Sequence, residues 1–241
     1  MARRPTIYVE GKNDLFALVN LLIRHGINYD HKPWPIAYPE FHAAVSDSTD
    51  ESRDAMGIDA LLTMISDEVR IQAGRTVGFV LDADEFPVSR WQAVRDRLQE
   101  CGVETEGTDP QEIQTLQTIP EQGFIGRSRT FEARVGVWLM PDNQNAGALE
   151  HFLESLIPNS GHGENSLFTF AKSCTATANA HHGALIREVD SLKANLACWL
   201  AWQSNPGRPY GTAIRARYFH HESPTALQFV DWFRRLFQIQ P

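Results

Sequence analysis

The sequence has little sulfur: three cysteines in 241 residues, Cys101, Cys174 and Cys198, odd in number and far apart. They make no CxxC pair and no zinc spacing, so they offer no disulfide framework, and a reducing compartment is expected. No run approaches the ~18 apolar residues of a membrane span. The opening residues, MARRPTIYVE, enter a strand pattern without the apolar centre of a signal peptide. A soluble, cytoplasmic protein is the expectation. Positive charge is also short. The formal net charge of −8 argues against binding nucleic acid by bulk electrostatics alone. It does not exclude a nuclease, because a bound metal inverts the local field. Gly11-Lys12 lacks the first glycine of GxxxxGK[ST], which removes ATP binding by a P-loop. No GxSxG elbow supports serine catalysis. The nine histidines, among them His25, His42, His151, His162 and the pairs 181–182 and 220–221, lack the carboxylate or cysteine spacing of a zinc site and read as surface or core residues.

Apolar material is ample, at 42% with six tryptophans, and the length suits one large α/β domain or a core with one appendage. Residues 76–85, TVGFVLDADE, organise the rest. Their β-branched apolar run reads as a buried strand of a parallel sheet. It ends abruptly on Asp82, Asp84 and Glu85. Ligands of open α/β sheets sit just beyond such strand ends. Acids crowded there repel unless a cation, typically divalent and held by oxygen ligands, lies between them. The plainer alternative makes Asp82 a turn cap, with Asp84 and Glu85 opening the next helix.

Other strands repeat the pattern. Residues 6–10, TIYVE, end on Glu10 and turn at Gly11 into a helical period closing at Gly26. Residues 34–38 are a candidate second strand, and 46–54 an acidic loop. Helices are expected over 58–69 and 89–102. Residues 107–134, with Arg127, Arg129 and Arg134, read as a hairpin or solvated loop. Residues 135–140, VGVWLM, are a third strand, ending near Asp142, and a helix follows Gly147 with Glu150 and Glu154 on one face. After a Gly/Ser loop at 160–165, helical patterns run over 167–171, 182–200 and 225–237. Residues 1–158 therefore read as an α/β core, and 159–241 as a helical extension packed on it.

If these strands are parallel neighbours, Glu10, Asp82, Asp84 and Asp142 meet at one sheet edge. Two metals ~3.5–4 Å apart there would activate a water and stabilise the leaving oxygen of a phosphoryl transfer.

An apolar strand ending in VEGKND and a later one ending in LDAD resemble the topoisomerase–primase (Toprim) fold, a Rossmann-like parallel sheet flanked by helices. Within it the chain is most similar to the overcoming-lysogenization-defect (OLD)-like group and its small DUF3226 relatives. The resemblance implies Mg²⁺ or Mn²⁺ held by Glu10, Asp82 and Asp84, with Asp14 in support. VGVWLMPDNQNAGALEHFL resembles the next strand, turn and helix, which implies a second-metal role for Glu150; Glu85 and Asp142 are further candidates. The Lys193 segment and SNPGRPYGTAI resemble the C-terminal part of the same relatives. Two readings of Lys193 stay open: charge stabilisation in catalysis, or a lysine snorkelling from an apolar helix. An arginine from 127–134 could serve the same catalytic purpose.

The function expected from the resemblance is a metal-dependent nuclease acting on DNA or RNA. The resemblance also implies a role in phage defence beside a separately encoded ATPase, since the chain carries no ATPase domain of its own. A homo-oligomer is left open. The alternatives are a non-catalytic Toprim subunit serving as an interaction module, and a phosphatase or nucleotidyl transferase using the same acids.

Overall fold

The computed structural model describes residues 4–44, 54–106, 113–158, 163–164 and 166–240, and of residues 54–59 the backbone alone. Most of the acidic loop expected over 46–54, most of the loop over 160–165 and His162 lie outside the described residues. Strand β1 (Thr6–Val9) leads through Glu10 and Gly11 into α1 (Lys12–Arg24), and β2 (Glu40–Ala43) precedes α2 (Asp54–Ile71). Strand β3 (Thr76–Asp82) leads to α3 (Pro87–Glu100), then β4 (Val103–Thr105), β5 (Phe124–Ser128) and β6 (Arg134–Met140). Helices α4 (Leu149–Ser155), α5 (Leu167–His181), α6 (Ser191–Ala201), α7 (Tyr210–Arg215) and α8 (Pro224–Phe237) complete the chain.

The strands form one six-stranded sheet in the order β2-β1-β3-β6-β5-β4. From β2 to β6 every neighbour is parallel, with Thr6 beside Val77 and Thr76 beside Arg134. The carboxyl ends of β1, β3 and β6 therefore share one edge of the sheet. The expected parallel sheet is present from β2 to β6, and β5 and β4 extend it with antiparallel pairings, so the sheet as a whole is mixed. The expected second strand also moves. Residues 34–38 pack by other means, with the Trp34 indole donating to the Tyr29 carbonyl at 3.0 Å, and β2 begins only after Pro39. Pro33, Pro35 and Pro39 remove backbone donors that a ladder needs. The helix expected over 182–200 starts at Ser191, since Gly183 (φ +73°) breaks the run from α5.

Side chains alternate between two cores. Tyr8, Phe79, Leu81, Val137 and Leu139 face α2 and α3, where Trp91, Val94 and Leu98 meet them. Ile7, Val9, Val80, Trp138 and Met140 face α1, α4, α6, α7 and α8. Helix α8 buries Ala226, Phe229, Val230, Trp232, Phe233, Leu236 and Phe237, and each large apolar side chain contributes roughly 1.5–3 kcal/mol. Gly78 and Gly136 lie side by side on β3 and β6. A Cβ built at Gly136 would stand 2.4 Å from Leu236 Cδ2, and one at Gly78 3.1 Å from the same atom. The paired glycines make the notch that seats Leu236.

Candidate functional site

Glu10 and Asp82 meet where β1 and β3 end. Glu10 Oε1 accepts a hydrogen bond from the Asp82 N–H at 2.7 Å, and Asp82 Oδ1 accepts one from the Leu149 N–H at 3.2 Å. Asp14, in the first turn of α1, accepts the Gly11 N–H at 3.1 Å. Glu150, in the first turn of α4, receives the Tyr210 hydroxyl at 3.5 Å. Asp84 lies one residue past Ala83 with φ +52°, pinned by two backbone bonds to Gly147, Asp84 N–H to O at 2.9 Å and Gly147 N–H to O at 2.7 Å. The Arg90 guanidinium pairs with the Asp84 carboxylate.

These carboxylates share one field. Burial pushes Glu10 up to about 7; the Asp82 N–H opposes this, Asp14 and Asp84 add to it, and Arg90 counters it. Burial likewise lifts Asp14 to about 7, with Glu150 adding to the rise. Asp82 is raised well above the ordinary carboxylate range, by burial first and then by Glu10, Asp14, Asp84 and Glu150. Burial and Glu150 also raise the Tyr210 phenol. Five acids from three stretches of sequence thus converge at the edge where a charged ligand of an α/β sheet would sit.

The donor set fits a hard divalent cation, because every side-chain ligand on offer is a carboxylate oxygen. As placed, no group of three or more His, Cys, Asp or Glu among the described residues stands ready to hold an ion. Several carboxylate oxygens are instead turned onto backbone N–H groups, as Glu10, Asp82 and Asp14 show.

The other candidates fall elsewhere. Asp142 closes its own turn, accepting from the N–H groups of Gln144 and Asn145 at 3.1 and 2.8 Å. Glu85 is exposed. Neither is among the charges that weigh most on Glu10, Asp14 or Asp82. Lys193 is exposed in the first turn of α6, acting on Asp190. Arg134 opens β6 and Arg127 is its register partner, so both sit at the opposite end of the strands, about 20 Å from the acids at ~3.4 Å per residue. They pair with Glu106. The capping alternative does not hold as expected, because Asp84 and Glu85 precede α3, which begins at Pro87. The N-cap of α3 is Phe86, with no side-chain cap bond, while Asp82 receives the first amide of α4. Arg90 and Tyr210 are the site residues that sequence reasoning missed. Arg90 had a signal: the helix after a strand-end acid pair starts at that strand's carboxyl end, so its first turns face the acids.

A sheet carrying a half-buried cluster of acids at the ends of its parallel strands places the molecule among mixed α/β proteins with a candidate site at the strand ends. Its helices flank the sheet, and among the described residues none is long and apolar enough to cross a membrane. The chain belongs to the family described as protein of unknown function (DUF3226), whose model matches residues 4–238. No curated protein and no solved structure matches it.

Proposed function

We propose that this chain is a Toprim-like, divalent-metal-dependent nuclease that hydrolyses phosphodiesters of DNA or RNA. The observation supporting it is the convergence of Glu10, Asp14, Asp82, Asp84 and Glu150 at one sheet edge, where burial and the neighbouring carboxylates raise the proton affinity of Glu10, Asp14 and Asp82. Mg²⁺ or Mn²⁺, when bound, would supply Lewis-acid polarisation of the phosphate and activation of water. Glu10, Asp82 and Asp84 would hold the principal ion, with Asp14 and Glu150 beside it. The chain's own contribution is order and desolvation. The Asp82 N–H fixes one Glu10 oxygen, and the Leu149 N–H fixes one Asp82 oxygen. Without a cation, Glu10 and Asp14 hold protons near neutral pH, and cation binding would release them. Tyr210 orients Glu150. A phage-defence role beside a separately encoded ATPase is part of the same proposal.

The test is incubation of the full chain with plasmid, single-stranded DNA and tRNA in Mg²⁺ and in Mn²⁺, alone and with any ATPase encoded beside its gene. Cleavage that disappears in Asp82→Asn is the expected result. If neither DNA nor RNA is cut with both metals and that partner present, the interaction-module reading replaces the nuclease.

A further inference from the structure

Arg90 lies in the second turn of α3, six residues after Asp84, and its Nη2 donates to Asp84 Oδ2. The two partners differ in exposure. The Arg90 side chain is 16% exposed and that of Asp84 54%, so the guanidinium is the anchored member and the carboxylate the freer one. In a guanidinium, Nε–H and one Nη–H point the same way and form a fork that matches two oxygens of a carboxylate or phosphate. Asp84 engages the Nη2 side alone. Arg90 Nε is buried and has no acceptor, a state shared by the Nε atoms of Arg24, Arg95, Arg208 and Arg234, and of these Arg90 is the one paired with an acid of the site. Arg90 is also the cation that bears on Glu10.

We infer that Arg90 is the phosphate-binding residue of this site, paired with Asp84 at rest and presenting both Nε and Nη2 to a substrate phosphodiester once Asp84 is drawn onto a cation. The inference rests on the phosphodiester reading above and gives the role first expected of Lys193 or the 127–134 arginines to a residue that stands among the acids. Arginine suits the task better than lysine, because its fork binds two phosphate oxygens in a fixed plane. The exchange couples the two ligands. A cation that takes Asp84 frees the arginine, so metal and phosphate binding reinforce each other.

Binding experiments separate this from a simple counter-ion role. The full chain is titrated with Mg²⁺ alone by calorimetry. A fluorescein-labelled single-stranded 20-mer, as DNA and as RNA, is then titrated by anisotropy in Ca²⁺ and in EDTA. In Arg90→Ala, Mg²⁺ should bind at least as tightly as in the wild type, while the oligonucleotide in Ca²⁺ binds about tenfold more weakly, the loss of one charge-assisted contact. Arg90→Lys should recover only part of that loss. Asp84→Asn, which removes the charge that holds the guanidinium, should bind the oligonucleotide more tightly than wild type in EDTA. Circular dichroism and melting curves confirm that each variant folds. Equal oligonucleotide binding by Arg90→Ala and wild type overturns the inference. So does a wild type that binds neither oligonucleotide in Ca²⁺; if that wild type still binds Mg²⁺, the metal-site reading survives alone.

Discussion

The Glu10 carboxylate accepts the backbone N–H of Asp82 at 2.7 Å, across 72 positions of sequence. This bond locks the residue that follows β1 to the end of β3 and keeps a half-buried acid within reach of its neighbours' charge. A glutamine would keep the acceptor and lose the repulsion. We therefore expect Glu10→Gln without metal at pH 8 to melt at or above the wild-type temperature, by a few degrees, since 1 kcal/mol is roughly 2–4 °C in a domain of this size. Mg²⁺ should raise the wild-type melting temperature by mass action on the native state and raise that of Glu10→Gln or Asp82→Asn much less. Equal shifts in all three would show that the acids do not share a cation.

The pH dependence has two limbs of opposite sign. Glu10 and Asp14 titrate at about 7 in the folded protein, against ordinary values of 4.5 and 3.8. Between those limits the folded state holds protons that the unfolded chain has released, so stability falls as pH rises toward 7. His25 and His221 are lowered, chiefly by burial. There the unfolded chain binds the proton first, and stability falls as pH drops through about 6.5. Metal-free melting temperatures should therefore peak on the acid side of neutrality, and saturating Mg²⁺ should move the peak upward. An optimum indifferent to Mg²⁺ would contradict this account.

Asp84 is best tested with asparagine. Its φ of +52° strains alanine more than Asn or Asp, by roughly 1 kcal/mol, so Asp84→Ala confounds chemistry with backbone strain. Asp84→Asn should melt within a few degrees of wild type. Loss of about 4 kcal/mol of transition-state stabilisation would slow cleavage roughly a thousandfold. Wild-type cleavage by Asp84→Asn would remove Asp84 from the site while leaving the activity intact.

The notch under α8 gives a prediction independent of function. Gly136→Ala places a methyl against Leu236 and should cost about 1–3 kcal/mol through overpacking. Adding Leu236→Ala to Gly136→Ala should cost less than Leu236→Ala costs in the wild type. Additive penalties in a double-mutant cycle by urea denaturation would refute the contact.

The parallel strands β1, β3 and β6 are legible because buried strands write themselves as apolar runs, and Glu10 and Asp82 because each run stops on an acid. Strand β5 is legible only as far as the hairpin read over 107–134, of which it is one arm. Its FIGRS is short, and its pairing to β6 depends on a partner, not on its own pattern. Residues 34–38 mislead because aromatic content imitates a strand while prolines forbid the ladder. Helix α7 begins inside a turn-rich stretch and is held by packing on α1, where Gly211 lies against the Phe16 carbonyl. Helical periodicity separates core from solvent but says nothing of a third environment, the strand end, which is where Arg90 points. The same limit applies to Asp142, whose place after a strand could not reveal that its carboxylate closes a local turn.

The seat of Leu236 between Gly78 and Gly136 also sets the order in which the protein can be finished during synthesis. The central strands leave the ribosome long before α8, and their notched face waits, apolar and uncovered, for residues some 100 to 158 positions later. Contacts of such separation close slowly, and exposed apolar sheet invites chaperones or self-association in the meantime. Ribosome-arrested chains ending before residue 224 should be cut readily by protease within β3 and β6, and chains that have released α8 should resist; protection of the shorter chains would show that the sheet completes itself without that helix.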